Sequence, residues 1–187
     1  MSEENLTDER LITAARQGDN QAFKGLVRRY ESRVAATAIG MLGKCPEAED
    51  VGQETFIRFY KSLKRFRGES SVGTYLTRIA INLSLNELRR RKRRSFIFFH
   101  KPLEEVYDIA NARASNQDVE DRELVQQAIQ KLDLKFRSVV VLRLIDGYST
   151  EETAQILNVP VGTVLSRLSR AQKKLKELLT PYYGDMR

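Results

Sequence analysis

Apolar residues recur every three or four positions through most of the first hundred residues, the period of amphipathic helices. Leu6 to Gln17 reads as one helix, with Thr7 or Asp8 as its cap and Gly18 as its stop. Asp19 caps a longer helix whose inner face is Phe23, Leu26, Val27, Tyr30, Val34 and Ala38. Gly43-Lys44-Cys45-Pro46 breaks it. Pro46 opens a third helix to about Leu63, with Val51, Phe56, Phe59, Tyr60 and Leu63 inward. Phe66 to Gly73 is a loop, and Thr74 caps a fourth helix that reaches Arg94.

From Ser95 to about Gln117 the period fails. An apolar patch, Phe96 to Phe99, gives way to Lys101-Pro102 and a polar stretch, read as a linker with room for one short helix at Leu103–Ala110. Helical patterning resumes over Val119–Lys131 and Leu134–Ile145, the latter ended by Asp146-Gly147. The pattern therefore predicts an all-α protein of two small four-helix domains, 1–95 and 119–187, joined by a flexible linker at 96–118.

The last two helices carry the most specific local signal. Ser149 and Glu152 form a capping box, Ala154 is small enough for two helices to cross closely, and Asn158 can take the left-handed conformation that ends a helix. Pro160 suits the first turn of the next helix. Along that helix Val161, Val164, Leu168, Ala171, Leu175 and Leu178 form one apolar stripe. Thr163, Ser166, Arg167, Ser169, Arg170, Lys173 and Lys174 lie off it, and hydroxyls and cations are what base edges and phosphates require. Residues 150–170 thus read as a helix-turn-helix. An ordinary amphipathic helix with a solvated basic face is the plainer alternative, and the capped helix and tight turn before it favour DNA.

Composition sharpens this. The 187 residues carry a net charge of +7 and 41% hydrophobic residues, with only four prolines and ten glycines. A basic chain of this kind suits a polyanionic partner. Cys45 is the single cysteine, so no internal disulfide can form and a reducing compartment is expected. Neither a signal-peptide core nor an apolar run of membrane-spanning length is visible, so a soluble, cytoplasmic protein is expected.

Two further groupings bear chemistry. Arg89 to Arg94 is an uninterrupted cationic run, expected to fray the helix end and to grip phosphate, with a solubilising tract as the alternative. It follows a helix bearing Thr77, Arg78, Asn82, Ser84, Asn86 and Glu87, and Phe66 and Tyr75 near the loop could stack on unpaired bases. Asp50, Gln53 and Glu54 share one helix face. Paired carboxylates invite an acid–base or metal reading, but the single histidine, His100, lies far along the chain, so a protein-docking patch without catalysis, metal or cofactor is expected.

Several of these patterns occur in the order found in one family. Asp50-x-x-Gln53-Glu54-x-Phe56, Phe66 to Ser70, Thr74-Tyr75-Leu76-x-x-Ile79-Ala80-x-Asn82 and the arginine run resemble the second conserved region of extracytoplasmic-function (ECF) sigma factors of bacterial RNA polymerase. Leu132-x-x-x-x-Arg137-x-Val139-x-x-Leu142-Arg143, Gly147-Tyr148-Ser149-x-x-Glu152-x-Ala154 and Pro160 to Arg167 resemble the fourth. The resemblance implies that Asp50, Gln53, Glu54 and Arg58 meet the β′ clamp helices of core polymerase. It implies that Phe66, Arg67, Gly68, Glu69, Ser70, Tyr75, Arg78, Asn82, Asn86, Arg89, Arg90 and Arg93 hold the melted −10 element. It also implies that Thr163, Leu165, Ser166, Arg167, Ser169, Arg170, Lys173 and Lys174 read the −35 duplex while the same domain contacts the β flap.

An anti-sigma factor, membrane-bound in many members, is a further implied partner, with Phe96–Phe99 as one candidate contact for it or between idle domains. Tyr75 stands where the family usually has tryptophan, and Leu165 where many members have arginine. A −35 preference unlike the common GGAAC type is therefore expected, with Ser166, Arg167 and Arg170 making most contacts. Three other classes remain: a stand-alone helix-turn-helix regulator, a metal-dependent nuclease built on the paired carboxylates, and a membrane-surface protein using the arginine run and Phe96–Phe99.

Overall fold

The computed structural model describes the backbone of residues 7–99 and 117–183, and the side chains of residues 7–94 and 121–183. Eight α-helices are formed by the described residues, with no strand among them: α1 (Asp8–Arg16), α2 (Asn20–Leu42), α3 (Pro46–Ser62), α4 (Val72–Phe99), α5 (Gln117–Gln130), α6 (Leu134–Val140), α7 (Thr150–Leu157) and α8 (Val161–Tyr183). A 3₁₀ turn, Leu63–Arg65, follows α3, and α6 runs on through a π turn, Val141–Ile145. The short helix expected at Leu103–Ala110 lies outside the described residues. So do the side chains of Phe96 to Phe99.

The first half, α1–α4, closes around Leu11, Leu26, Val34, Phe59, Leu63, Leu76 and Ala80. Asp19 caps α2 as expected, its carboxylate accepting from the N–H groups of Gln21 and Ala22. Three details differ from the sequence reading. The fourth helix is capped by Ser71, whose Oγ accepts the Thr74 N–H at 3.1 Å, so Thr74 lies inside the first turn. Tyr60 is 49% exposed, because it lies one residue round α3 from the buried row Val51, Thr55, Phe59 and Leu63, and its ring meets Phe23 edge-on. Finally, α4 continues through the arginine run to Phe99. Glu87 explains that continuity. Its carboxylate pairs with Arg90 at 2.7 Å, Arg94 at 3.3 Å and Arg91 at 3.5 Å, offsetting the repulsion expected to fray the helix.

In the second half Val139, Ala154 and Val164 bury where α6, α7 and α8 meet. The two halves then share one larger core. Ala38, Met41, Ala48, Val51 and Ile81 from the first half cluster with Ile129, Leu132, Val140, Val141, Leu142, Tyr148 and Ile156 from the second. The last turn of α2 leaves carbonyls without helical partners, as every helix end does. Side chains of the other half reach this turn: Gln130 Nε2 donates to Gly40 O and Arg137 Nη1 to Met41 O, and Gln126 Nε2 adds a second donor to Ile39 O, which also accepts the Gly43 N–H, each side-chain bond at 2.8 Å. Thr77 and Tyr148 share a buried hydroxyl–hydroxyl bond of 2.9 Å.

Candidate nucleic-acid interface

The helix-turn-helix is built by local chemistry. Ser149 Oγ accepts the Glu152 N–H at 3.1 Å while Glu152 Oε2 accepts the Ser149 N–H at 2.8 Å, completing the capping box. Asn158 adopts φ 52° and ψ 53°, the left-handed geometry that turns the chain, and Val159 N–H returns to Ala154 O. Pro160 stands one residue ahead of α8 and its carbonyl accepts from the Thr163 and Val164 N–H groups. With Val164 and Ala171 buried, α8 presents Leu165, Ser166, Ser169, Arg170, Lys173 and Lys174 to solvent, while Thr163 and Arg167 are half-buried. Val161 departs from the expected stripe. It is 40% exposed because the first turn of α8 projects beyond the three-helix core.

A second polar surface runs along α4. Asn82, Asn86, Arg89, Arg90 and Arg93 are exposed and Arg78 is half-buried beside them. Arg89 Nη1 donates to Asn86 Oδ1 at 3.1 Å. Arg91 turns away, reaching Glu47 at 3.0 Å and Cys45 Sγ at 3.1 Å, so it anchors α4 to the start of α3. The Glu47 carboxyl is held below its ordinary range, chiefly by its own backbone N–H at the α3 N-terminus and also by Cys45 and Arg91.

The loop ahead of α4 borders a cleft of about 470 Å³ lined by Asp8, Glu9, Ile12, Thr13 and Arg16 of α1 and by Phe66, Arg67, Gly68, Ser70, Ser71 and Val72. Arg16 fixes the loop root by donating to the carbonyls of Leu63 and Phe66. Arg67 and Glu69 are exposed and face one another at 3.7 Å. Phe66 corrects an expectation: it is 8% exposed and packs edge-on against Phe59 and Tyr75, so it floors the loop and offers no free face for stacking. Tyr75 is half-buried, with its hydroxyl donated to Ser62 Oγ at 3.1 Å.

A third surface lies on α3. Asp50, Gln53 and Arg58 are exposed and Glu54 half-exposed, with Arg58 Nε donating to Glu54 Oε1 at 2.8 Å. Ile57, 46% exposed, and Tyr60 add apolar area to the same helix. Among the described residues no group of three or more histidine, cysteine or acidic side chains is placed to hold a metal ion.

Residues 26–94 match the family described as Sigma-70 region 2, and residues 122–175 match Sigma-70, region 4. The chain is similar to the RNA polymerase sigma-H factor of Pseudomonas aeruginosa, 34% identical, covering 93% of this chain and 94% of that one. It is also similar to the ECF RNA polymerase sigma factor SigW of Bacillus subtilis, 35% identical, covering 90% and 94%. The chain belongs to the ECF sigma factors. Two solved structures share its fold at a TM-score of 0.69 and 28% identity. One is CnrH in complex with the cytosolic domain of CnrY, covering 94% of this chain and 98% of that one. The other is the sigma factor RpoE in complex with the anti-sigma factor NepR from Bartonella quintana, covering 84% and 96%.

In this sigma factor the matched regions carry the three surfaces in chain order, α3 and α4 in region 2 and α8 in region 4. What sequence reasoning missed is the contact between them. Thr37, Gln126, Gln130, Arg137, Asp146 and Tyr148 join the two regions directly. The available hint was Gly40, at the end of the small-residue run Ala35-Ala36-Thr37-Ala38: a Cβ there would lie 3.0 Å from Val141 Cγ2.

Proposed function

We propose that this sigma factor divides its work as follows. Asp50, Gln53, Glu54 and Arg58 on α3 dock on the clamp helices of core polymerase. The cleft beside Arg67 to Ser71 receives an extruded base of the −10 strand, and Arg78, Asn82, Asn86, Arg89, Arg90 and Arg93 along α4 follow its backbone. Residues 119–187 read the −35 duplex through α8 and rest on the β flap. Residues 1–95 form the −10 and polymerase unit, and 96–118 span the distance between the two.

The observation that carries this reading is the outward face of α8, hydroxyls and cations on a capped helix-turn-helix, in a chain whose other half presents a separate basic helix and an acidic docking face. Extruding a base costs a few kcal/mol that pocket and backbone contacts must match. Two weak sites on one chain gain affinity by acting together. Elements at −35 and −10 are roughly 80 Å apart along B-DNA at about 3.4 Å per base pair. The shared core of the two halves must therefore part when both elements are held.

The protein does no bond chemistry and works in the compartment of its polymerase. CnrH is seen with the cytosolic domain of CnrY, and RpoE with the anti-sigma factor NepR. We take an anti-sigma factor to be a partner of this protein that holds it idle. Run-off transcription with core polymerase on a promoter library tests the whole assignment: the expected result is initiation from promoters sharing two separated elements, with poor duplex binding by the free protein. Tight footprinting without core enzyme would instead mark a stand-alone regulator.

A further inference from the structure

The leading turns of α8 carry no cation. From Val161 to Ser166 the chain reads Val-Gly-Thr-Val-Leu-Ser, and the first arginine, Arg167, is half-buried. Val164 faces the core, so the exposed side chains of this tip are Val161 and Leu165, at 40% and 54%, and Ser166. Val161 and Leu165 are four residues apart and so lie side by side on one face, about 5–6 Å between Cβ atoms. Single exposed apolar residues are commonplace. This is a pair, on the part of a reading helix that enters the groove first, and the cations Arg170, Lys173 and Lys174 begin only a turn further on, where a helix leaving the groove meets phosphates.

The neighbouring hydroxyl is engaged within the helix. Ser166 Oγ donates its proton to Thr163 O at 3.0 Å, leaving its lone pairs as acceptors. An aliphatic pair beside an acceptor has a defined complement in the major groove. Thymine presents a methyl group and its paired adenine presents an amino donor, whereas guanine presents only acceptors there. The geometry points to Val161 and Leu165 as the residues that read thymine methyl groups of A·T pairs within the −35 element, with Ser166 accepting from an adenine amino group. The inference rests on α8 being the −35 reader and names what that helix prefers. The complementary charge behind the tip identifies the occupant as DNA: Arg170, Lys173 and Lys174 would repel a basic surface and bracket a polyanion.

Base analogues test this without disturbing the protein. Deoxyuridine pairs as thymidine does but lacks the methyl group. Holoenzyme formed with core polymerase is assayed for promoter binding and run-off on its preferred promoter, with each −35 thymidine replaced in turn by deoxyuridine. One or two replacements are expected to weaken binding roughly fourfold each, the factor expected for one lost buried methyl group. Leu165→Ala, which removes an exposed side chain and leaves the core intact, is expected to respond equally to the two bases, and Leu165→Arg to shift preference toward guanine. Indifference of the unaltered protein to every replacement, with transcription intact, overturns the inference while leaving the sigma assignment standing. Failure to initiate on any template overturns the assignment beneath it. An equal loss for Leu165→Ala on templates with either base, with no methyl effect, would mean that the pair docks a protein and would also overturn it.

Discussion

Thr37 Oγ1 donates a 2.8 Å hydrogen bond to Oδ2 of Asp146, joining residues 109 positions apart across the two halves of the molecule. The hydroxyl has a second acceptor within reach, Arg33 O at 3.0 Å, one turn back on α2. Burial pushes the Asp146 carboxyl up to about 6, against the opposing pull of the Thr37 hydroxyl and the Arg33 cation. The Arg33 guanidinium also lies over the Tyr148 ring, 5.9 Å from its centroid. A polar cluster with Thr37 and Tyr148 buried, Asp146 half-buried and Arg33 exposed therefore sits on the seam between the halves.

The pH dependence follows from that carboxyl. Its value in the closed molecule, about 6, exceeds the ordinary 3.8, so the closed state binds the proton more tightly. Its favourable contribution is fully present below about pH 4 and lost as pH rises through 6. At neutral pH the ionised carboxylate costs the closed molecule about 2–3 kcal/mol. Asp146→Asn keeps an acceptor for Thr37 and removes the charge. It is expected to raise unfolding free energy by that order at pH 7.5, with the gain shrinking between pH 6 and 4. Urea unfolding at pH 7.5, 6 and 4.5 measures it. A difference that stays constant across the series would refute the link.

Gly40 tests how tightly the halves fit. A Cβ there meets Val141 Cγ2 at 3.0 Å and Cγ1 at 3.1 Å. Gly→Ala inside a helix should stabilise by about 0.5–1 kcal/mol, whereas overpacking costs about 1–3 kcal/mol. Gly40→Ala is therefore expected to destabilise the closed molecule, and Gly40→Leu to force the halves apart with little change in helix content. Adding Val141→Ala should recover most of the Gly40→Ala loss. Small-angle scattering for the radius of gyration and circular dichroism for helicity separate parting from unfolding; equal radii for Gly40→Leu and the unaltered protein would contradict the fit.

The sequence made most of α7 and α8 legible because their signals are local. Ser149, Glu152 and Asn158 act on backbone within a few residues of themselves, so spacing suffices. Errors arose where two residues offer the same chemistry or where a helix outruns its core. Ser71 and Thr74 both carry a capping hydroxyl, and only the chain direction before α4 selects Ser71. Val161 keeps the helical period yet stands past the last packed layer, and Tyr60 lies one residue round the helix from the buried Phe59 row. Phe66 obeys the opposite rule, a loop residue that the Phe59–Tyr75 cluster draws inside. The seam itself was illegible. Gln126, Gln130 and Arg137 look like ordinary polar helix residues until the carbonyls of Ile39, Gly40 and Met41 arrive from some ninety residues away.

Arg137 should be the costliest residue of that seam to lose. Besides Met41 O, its guanidinium donates to Gln130 Oε1 at 2.8 Å, to the Gln130 carbonyl and to Leu132 O at 3.2 Å. It is 7% exposed, so its removal strands several buried carbonyls, each worth about 1–3 kcal/mol when left unpaired. Arg137→Ala is expected to lose more than about 3 kcal/mol of stability. Arg137→Lys should recover only part, since an ammonium cannot span that planar set. Chemical denaturation of the three proteins reads this directly, and full recovery by lysine would show that charge alone matters.

The acidic face of α3 separates docking from folding. Asp50 is exposed, and the Glu54–Arg58 pair, at 40% and 53% side-chain exposure, is worth only about 0.3–0.5 kcal/mol to the fold. Asp50→Lys with Glu54→Lys should therefore leave the unfolding curve within about 1 kcal/mol of the unaltered protein. Docking is another matter, because like charges brought together across an interface cost several kcal/mol. Association with core polymerase is expected to fall by on the order of a hundredfold or more, most steeply at low salt, where charges are least screened. Glu151→Lys, equally exposed but on α7, is the control and should leave association nearly unchanged. Co-elution with core enzyme at two salt concentrations measures both. Equal losses for the α3 and α7 reversals would mean that overall charge, and not this face, governs the encounter.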